Sequence, residues 1–244
     1  VTEAAATDLG ASTVSGTLGI TSTGAVTDSG TLAITGVTTI SASGQNITLD
    51  QAASTFGTLA LTGANVAVTE NAATDLGANT VSGTFGITSG GSITDSGTQA
   101  ITGDATFTNT AGTDDAITLD DAGNAFGGTV TFATDSGSAV SIVDTTALDL
   151  KALSAASLSA TSGGAVTDSG TLAITGATTI SASGQDITLS ETASTFGTIS
   201  VTGANVAITE AAATELGAST VSGTLDITST GAITDSGTLA ITGD

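Results

Sequence analysis

The sequence predicts an all-β protein: a right-handed parallel β-helix (β-solenoid) that runs through residues 1–244 as a single continuous repeat region. Three observations predict this fold class. The chain has a long internal repeat, it contains short runs of alternating apolar and polar residues, and turn-forming Gly, Asn, Asp or Ser residues separate those runs. The lack of Pro agrees with it, because Pro cannot donate a hydrogen bond to a β-ladder.

The repeat is marked by the tetrapeptide Thr-Asp-Ser-Gly, which begins at Thr27, Thr94, Thr167 and Thr234, so that its first and last steps along the chain are equal and its middle step is slightly longer. A fifth copy, at Thr134, is out of phase. Residues 28–104 align with 168–244 at a constant offset of 140, and residues 1–37 recur as 208–244. We therefore expect residues 1–244 to be a window of a longer repetitive chain or filament.

Individual strands are predicted by the pattern Gly-Thr-apolar-x-apolar, which begins at Gly16, Gly30, Gly57 and Gly83. Further short strands are predicted at Thr38–Ser41, Asn46–Leu49 and Asn65–Val68. The Ala-rich stretch Glu210–Leu216 is interpreted as irregular coil rather than as a helical turn.

The step from Thr27 to Thr94 defines a 67-residue unit, which would accommodate three coils of roughly 22 residues. Five half-turns of about 13 residues are the alternative partition. Three coils per unit give about 11 coils in all, a rod on the order of 50 Å long at roughly 4.8 Å per coil. Phe56, Phe126 and Phe196 are predicted to fill the core, and Asn65 and Asn205 to lie at bends, where Asn tolerates a left-handed backbone.

Composition excludes several classes of function. With 23 acidic residues and Lys151 as the one basic residue, the net charge is −22, so the chain lacks the footprint of a nucleic-acid binder and would be repelled by anionic membranes. The sequence contains no run of about 18 apolar residues, so membrane insertion is not predicted. Without His, Cys or Tyr, neither a Ser-His-Asp triad nor a His/Cys zinc site can form.

Paired carboxylates could in principle hydrolyse glycosides, but the aromatic platforms and basic residues typical of sugar sites are absent. We therefore predict that the protein is not an enzyme and has no catalytic or cofactor-binding residue.

Calcium is the one cofactor kept as an alternative, although no metal-binding residue is predicted. The Thr-Asp-Ser-Gly turns could bind it, but Asp28 and Asp95 are one unit apart, roughly 14 Å, and a turn in which Asp accepts a backbone N–H is the preferred interpretation. A denser acidic cluster consists of Asp114, Asp115, Asp120 and Asp121. It is either a calcium site or a solvated loop.

Ice binding is a second alternative, suggested by Thr-x-Thr spacing at Thr106-Phe-Thr108-Asn-Thr110 and at Thr21-Ser-Thr23. A flat ice-binding face needs the motif once per coil in one phase, and in the sequence the occurrences are scattered. Thr is also a good solvent-facing strand residue.

The run ITDSGTLAITG…TTISASGQDITL…FGTISVTGANVAITE…LGASTVSGTL resembles repeats of giant bacterial surface proteins, the filamentous-haemagglutinin-like adhesins that are often exported by two-partner secretion. The resemblance covers essentially the whole chain, but the amino-terminal secretion domain of that family is not part of it. It implies a β-helical fibre at the cell surface or in the extracellular space, and it implies no catalytic residues.

Together these observations predict a structural repeat region of a secreted bacterial surface protein, acting as a rigid stalk or as a subunit of an extracellular fibre in adhesion or matrix. The predicted partners are further copies of the chain, end to end or laterally, and a host or neighbouring cell surface. The alternative is an ice-binding β-solenoid, or a surface-binding module with a calcium-stabilised fold.

Overall fold

The computed structural model describes residues 1–110, 115–134 and 137–243. In these ranges all regular structure is β-strand. In the first part of the chain the strands are β1 Thr2–Glu3, β2 Thr7–Leu9, β3 Ser12–Val14, β4 Leu18–Ser22, β5 Val26–Asp28, β6 Leu32–Ile34, β7 Val37–Ser41, β8 Ile47–Leu49, β9 Thr58–Gly63, β10 Val66–Glu70, β11 Thr74–Leu76, β12 Asn79–Val81, β13 Phe85–Ser89, β14 Ile93–Asp95, β15 Gln99–Ile101 and β16 Ala105–Asn109. They continue as β17 Ile117–Leu119, β18 Ala125–Phe126, β19 Thr129–Ala133, β20 Ala139–Asp144, β21 Leu148–Ala155, β22 Ser157–Ser162, β23 Val166–Asp168, β24 Leu172–Ser181, β25 Ile187–Leu189, β26 Thr195–Gly203, β27 Val206–Glu210, β28 Thr214–Leu216, β29 Ser219–Val221, β30 Leu225–Ser229, β31 Ile233–Asp235 and β32 Leu239–Ile241.

The strands stack in parallel into two long faces, so the predicted β-solenoid is confirmed. Face 1 runs through β1, β4, β7 and β9, then through the strand pairs β11/β12, β14/β15 and β17/β18, then through β20, β22, β24 and β26, and ends at β28/β29 and β31/β32. Face 2 contains β2, β5, β8, β10, β13, β16, β19, β21, β23, β25, β27 and β30.

A third side is shorter and interrupted, and it includes the two-stranded β3–β6 sheet. The twelve strands of face 2 mark twelve coils, which at roughly 4.8 Å per coil make a rod about 50 Å long.

The coils are shorter and more variable than the sequence suggests. The sequence separation between stacked partners is 17 for Thr58 and Asp75, and it is 25 for Ala105 and Val130. A 67-residue step therefore spans three coils plus one further strand: it leads from β5 on face 2 to β14 on face 1. The 140-residue step from β5 to β23 is seven whole coils and returns to face 2, and we name this seven-coil unit the super-repeat.

Apolar side chains on alternate strand positions point inward and form one continuous core. Phe126 is fully buried, and Phe56 and Phe196 are 5% exposed, so the prediction that these three fill the core is confirmed. The divergent unit has the densest aromatic packing, because the Phe107 ring lies 5.9 Å from Phe85, 6.1 Å from Phe126 and 5.8 Å from Phe132, measured between centroids.

Local predictions are mostly confirmed. Strands β7, β8 and β10 lie within two residues of the predicted bounds. The interpretation of Glu210–Leu216 as irregular coil was wrong in part, because β27 extends to Glu210 and Thr214–Leu216 forms β28. Parallel pairing with Ile233–Asp235 of the next coil holds Thr214–Leu216 extended.

Turn chemistry also differs from the prediction in one respect. Asn65 and Asn205 do lie at bends, but among the described residues the left-handed backbone is confined to Gly44 (φ 72°) and Gly184 (φ 76°). The Gly that ends each of the four in-phase Thr-Asp-Ser-Gly copies is needed for close coil approach instead: Gly30, Gly97, Gly170 and Gly237. A Cβ at Gly170 would collide with the Lys151 carbonyl oxygen.

Candidate functional site

Asp28, Asp95 and Asp168, from three of the Thr-Asp-Ser-Gly copies, accept backbone N–H groups from the following coil. The N–H of Asp50 donates to Asp28 Oδ1 (2.9 Å). At Asp168, the N–H of Ser190 donates to Oδ1 (2.6 Å) and that of Glu191 to Oδ2 (3.3 Å). The predicted acceptance of a backbone N–H is present, but these donors belong to the next coil rather than to the same turn. These carboxylates therefore join neighbouring coils.

Asp95 caps the next coil in the same way. The N–H groups of Asp120 and Asp121 donate to its two oxygens at 2.9 and 3.3 Å, and Asn124 Nδ2 donates to Oδ2 at 2.6 Å. Burial raises the pKa of Asp28, Asp95 and Asp168, and the hydrogen bonds from the next coil oppose that rise. The N–H donors of the next coil therefore stabilise the charged form of these carboxylates.

A second set of buried carboxylates caps the backbone at three of the Phe residues. The N–H of Phe56 donates to Glu70 Oε1, and that of Phe196 donates to Glu210 Oε1, at 2.6 and 2.9 Å. Glu70 is 2% exposed and Glu210 is 1% exposed. Burial raises the pKa of Glu70 to about 7, although the hydrogen bonds from the Phe56 N–H and the Thr74 hydroxyl act to lower it.

The third acid of this set is Asp144, whose Oδ1 accepts the N–H groups of Phe126 (3.2 Å) and Thr146 (2.9 Å). Burial raises its pKa as well. None of these three acids was predicted from the sequence. The available signal was that Glu70 and Glu210 are equivalent under the 140-residue offset, and that each directly follows an alternating Val-Ala-apolar-Thr run.

Polar side chains also stack at the bends. Asn46 Oδ1 accepts Asn65 Nδ2 (3.0 Å), and Asn65 Oδ1 accepts the N–H of Thr84 (3.0 Å). One super-repeat later, Asp186 replaces Asn46 and accepts Asn205 Nδ2 at 2.9 Å. The Asn side chains therefore form hydrogen bonds along the rod, which explains their position without a left-handed backbone.

The acidic cluster considered for calcium is divided among different contacts. Asp114 lies outside the described residues. Asp115 Oδ1 accepts the Ser92 hydroxyl (3.2 Å), whereas Asp121 Oδ1 accepts the Thr98 hydroxyl (2.9 Å). Within the described ranges, no three acidic side chains are grouped so as to hold a metal ion.

The Thr residues considered for ice binding fall on different faces. Thr21 lies on face 1, and Thr106 and Thr108 lie on face 2 next to Thr131 and Ala133. Thr110 and Thr23 lie outside the strands, and the Thr110 hydroxyl donates to the Ser89 carbonyl.

Face 1 nevertheless has two registered lines of hydroxyl side chains, which we name the hydroxyl rows. One row consists of Thr161, Ser181, Thr202 and Thr220. The other row consists of Ser141, Ser159, Thr179 and Ser200. On β22, β24 and β26, which carry members of both rows, the second row lies two positions before the first. All eight side chains are exposed or half-buried, and none makes a hydrogen bond to another described residue. Uncharged hydroxyls are therefore presented to solvent on successive coils of a regular sheet.

The depressions on the rod surface are shallow. One of about 300 Å³ on face 1 is lined by Thr80, Ala100, Ile101, Thr102, Ala125, Gly127 and Thr146, none of which is ionisable. The part of the chain that the structure describes contains no helix long and apolar enough to cross a membrane.

The sequence matches the family model described as "Repeats of unknown function (DUF5649)" over residues 1–62, 63–133, 137–202 and 203–244. The chain belongs to this family. Two of the matched units begin at positions 63 and 203, which are equivalent under the 140-residue offset, and this agrees with the seven-coil super-repeat of the structure. No curated protein and no solved structure matches the chain.

Proposed function

We propose that this DUF5649 repeat region is a rigid spacer: a stalk, or a subunit of an extracellular fibre, whose function is its shape and stiffness. The observation that carries the proposal is the uninterrupted stacking of twelve coils, from β2 to β30, through parallel ladders. Each coil is hydrogen-bonded to the next along its backbone, so bending or unwinding the rod requires breaking ladder bonds.

Side chains add to this continuity. The Asp28, Asp95 and Asp168 carboxylates, the Asn ladders and the buried acids at the Phe residues all bond from one coil to the next. A rod held in this way resists local opening. With 23 acidic residues and 1 basic residue the chain has a net charge of −22, which favours solubility.

The proposed location is the cell surface or the extracellular space, and the proposed partners are further copies of the chain and a host or neighbouring cell surface. The resemblance to filamentous-haemagglutinin-like adhesin repeats supports this location. The absence of Cys is compatible with it, because stability does not depend on disulfides whose state differs between compartments.

Electron microscopy and small-angle scattering of the purified chain test the spacer proposal. We expect straight particles about 50 Å long as single chains, and multiples of that length where chains associate. A tandem fusion of two copies should be about twice as long and equally straight. Compact particles, or a tandem that folds back on itself, would contradict the proposed stiffness. Single short rods at every concentration would contradict end-to-end association alone.

Ice binding is a second candidate function, favoured by the hydroxyl rows. Hydroxyls in parallel rows, separated by roughly 4.8 Å between coils and roughly 6.6 Å along each strand, can order water on a flat uncharged surface. The test is thermal hysteresis and ice-recrystallisation inhibition by the wild-type chain and by Thr179→Tyr in the centre of the rows. The matched control is Thr188→Tyr, exposed on face 2. Loss in the face 1 variant alone supports the candidate, and no activity in the wild type removes it.

A further inference from the structure

Glu70 lies at one end of a chain of hydroxyl groups whose hydrogens can be counted. Its Oε2 is 2.9 Å from Thr74 Oγ1, and Thr74 Oγ1 is 3.0 Å from Ser89 Oγ. The Ser89 hydroxyl donates to the Ala72 carbonyl oxygen at 2.9 Å. Ser89 is on β13, the strand that follows β10 on face 2, so this chain of contacts joins adjacent coils.

The three contacts require three hydrogens, and the two hydroxyls supply only two. The Ser89 hydrogen is used on the Ala72 carbonyl, and the Thr74 hydrogen can serve either Ser89 or Glu70. With a protonated carboxyl group, Glu70 donates to Thr74, Thr74 donates to Ser89, and Ser89 donates to the carbonyl. With an ionised carboxylate, one of the three bonds is lost.

The surroundings of Glu70 provide no positive charge. Burial, the Phe56 N–H and the Thr74 hydroxyl are the causes that act on its pKa, with no charged group among them. Two acids lie on neighbouring segments. Asp50, which follows β8, is exposed, and Asp75 on β11 is directed to the Thr58 and Ser96 hydroxyls. Strand β13, on the other side, has no ionisable residue. A proton is therefore the available means of neutralising Glu70.

We propose that Glu70 takes up a proton and acts as a proton-dependent clamp between coils, through the hydroxyls of Thr74 and Ser89. The Glu70–Thr74–Ser89 relay is complete when the carboxyl group is protonated and incomplete when it ionises. The pKa of Glu70 is raised from 4.5 to about 7, so the proton contributes stability that is fully present below about 4.5 and is lost as the pH rises through about 7.

The same three residue types recur one super-repeat later, as Glu210, Thr214 and Ser229. The Ser229 hydroxyl donates to the Ala212 carbonyl at 2.7 Å, as Ser89 does to Ala72. Glu210 Oε2 and Thr214 Oγ1 are both buried without a hydrogen-bond partner, so the hydroxyl relay is not formed at this position. The residue types therefore recur with the 140-residue period, whereas the two relay contacts of the threonine hydroxyl are those of Thr74 with Glu70 and Ser89.

The direct test is a ¹³C NMR titration of the side-chain carboxyl groups in the folded wild-type chain, which contains five Glu. We expect Glu70, assigned by its loss in Glu70→Gln, to titrate near pH 7, well above the ordinary Glu value of 4.5. Titration of Glu70 at the pH of an ordinary Glu would overturn the proposal. The titration itself uses the wild-type protein, and the variant serves only to assign the Glu70 signal.

A second test compares thermal unfolding of the wild type and Glu70→Gln between pH 5 and 8.5. The Gln amide can accept the Phe56 N–H and donate to Thr74 at every pH, so the variant should match the wild type at pH 5 and exceed it at pH 8.5. The rise of the Glu70 pKa from 4.5 to about 7 makes the unfolding constant roughly 75-fold larger at pH 8.5 than at pH 5, out of roughly 300-fold over the whole titration. Glu215→Gln is the control, with no such gain expected. A Glu70→Gln variant that is equally destabilised at both pH values would contradict the clamp.

Discussion

Removing the Asp168 carboxylate should loosen the contact between two particular coils. In Asp168→Ala, the N–H groups of Ser190 and Glu191 lose their acceptor, and Asp168 is only 7% exposed. A buried donor left unpaired costs about 1–3 kcal/mol, and the partial exposure of these two residues puts the expected loss at about 1–2 kcal/mol. Hydrogen exchange is the suitable assay because a repeat rod opens locally. Exchange of the Ser190 and Glu191 amides should accelerate roughly tenfold.

The chain offers two matched controls for this experiment. Asp235 occupies the same Thr-Asp-Ser-Gly context but is exposed, so Asp235→Ala should change stability by less than about 0.5 kcal/mol. Asp168→Asn keeps an acceptor oxygen and removes a charge whose burial raises the pKa, so it should lose less than Asp168→Ala. Equal effects at positions 168 and 235, or unchanged exchange in Asp168→Ala, would refute the assignment of these carboxylates as caps between coils.

Three further predictions follow from packing, backbone conformation and the acidic cluster. Phe107→Ala should destabilise its coils by about 3–5 kcal/mol in urea denaturation, because the ring is fully buried against three other Phe rings. Phe107→Leu should cost markedly less, and similar losses in the two variants would argue against that packing. Gly44→Ala should reduce the free energy of unfolding by about 1–2 kcal/mol, because φ at this position is +72°. Gly86→Ala should be close to neutral, because an added Cβ would meet only a carbonyl oxygen at 3.8 Å. Equal thermal shifts in the two variants would contradict the left-handed turn. Chelation of calcium should leave the melting transition unchanged, because Asp121 is already bonded to Thr98 and Gly123, and a lowered transition would restore the calcium hypothesis.

The strands and the core could be predicted from the sequence because they depend on local alternation. Asn46–Leu49 contains apolar residues at alternate positions, and the structure buries Ile47 and Leu49 on the same side of β8. The Phe residues were likewise predictable, since a large aromatic side chain in a narrow solenoid has few other places to lie. These features need no knowledge of which coil lies next to which.

The caps, the buried acids and the hydroxyl rows could not be predicted, because each depends on the register between coils. The step from Thr58 to its stacked partner Asp75 is much shorter than the step from Ala105 to Val130, so a fixed period does not bring partners into line. The step from Thr161 to Ser181 is likewise longer than the step from Thr202 to Thr220, yet all four residues lie in one row. The 67-residue period adds to the difficulty, because it places equivalent tetrapeptides on different faces.

The environment of the buried carboxylates reflects the scarcity of basic side chains in this sequence. With Lys151 as the one basic side chain, a buried carboxylate in this chain has essentially no ion-pair partner within the protein. N–H donors can stabilise such a group in its charged form, like those that bond to Asp168, or the group can become neutral by binding a proton, as we infer for Glu70. Each solution ties one coil to the next. The stability of the rod should therefore respond to pH more than to salt, because a proton acts directly on these buried groups, whereas salt mainly screens charges exposed at the surface.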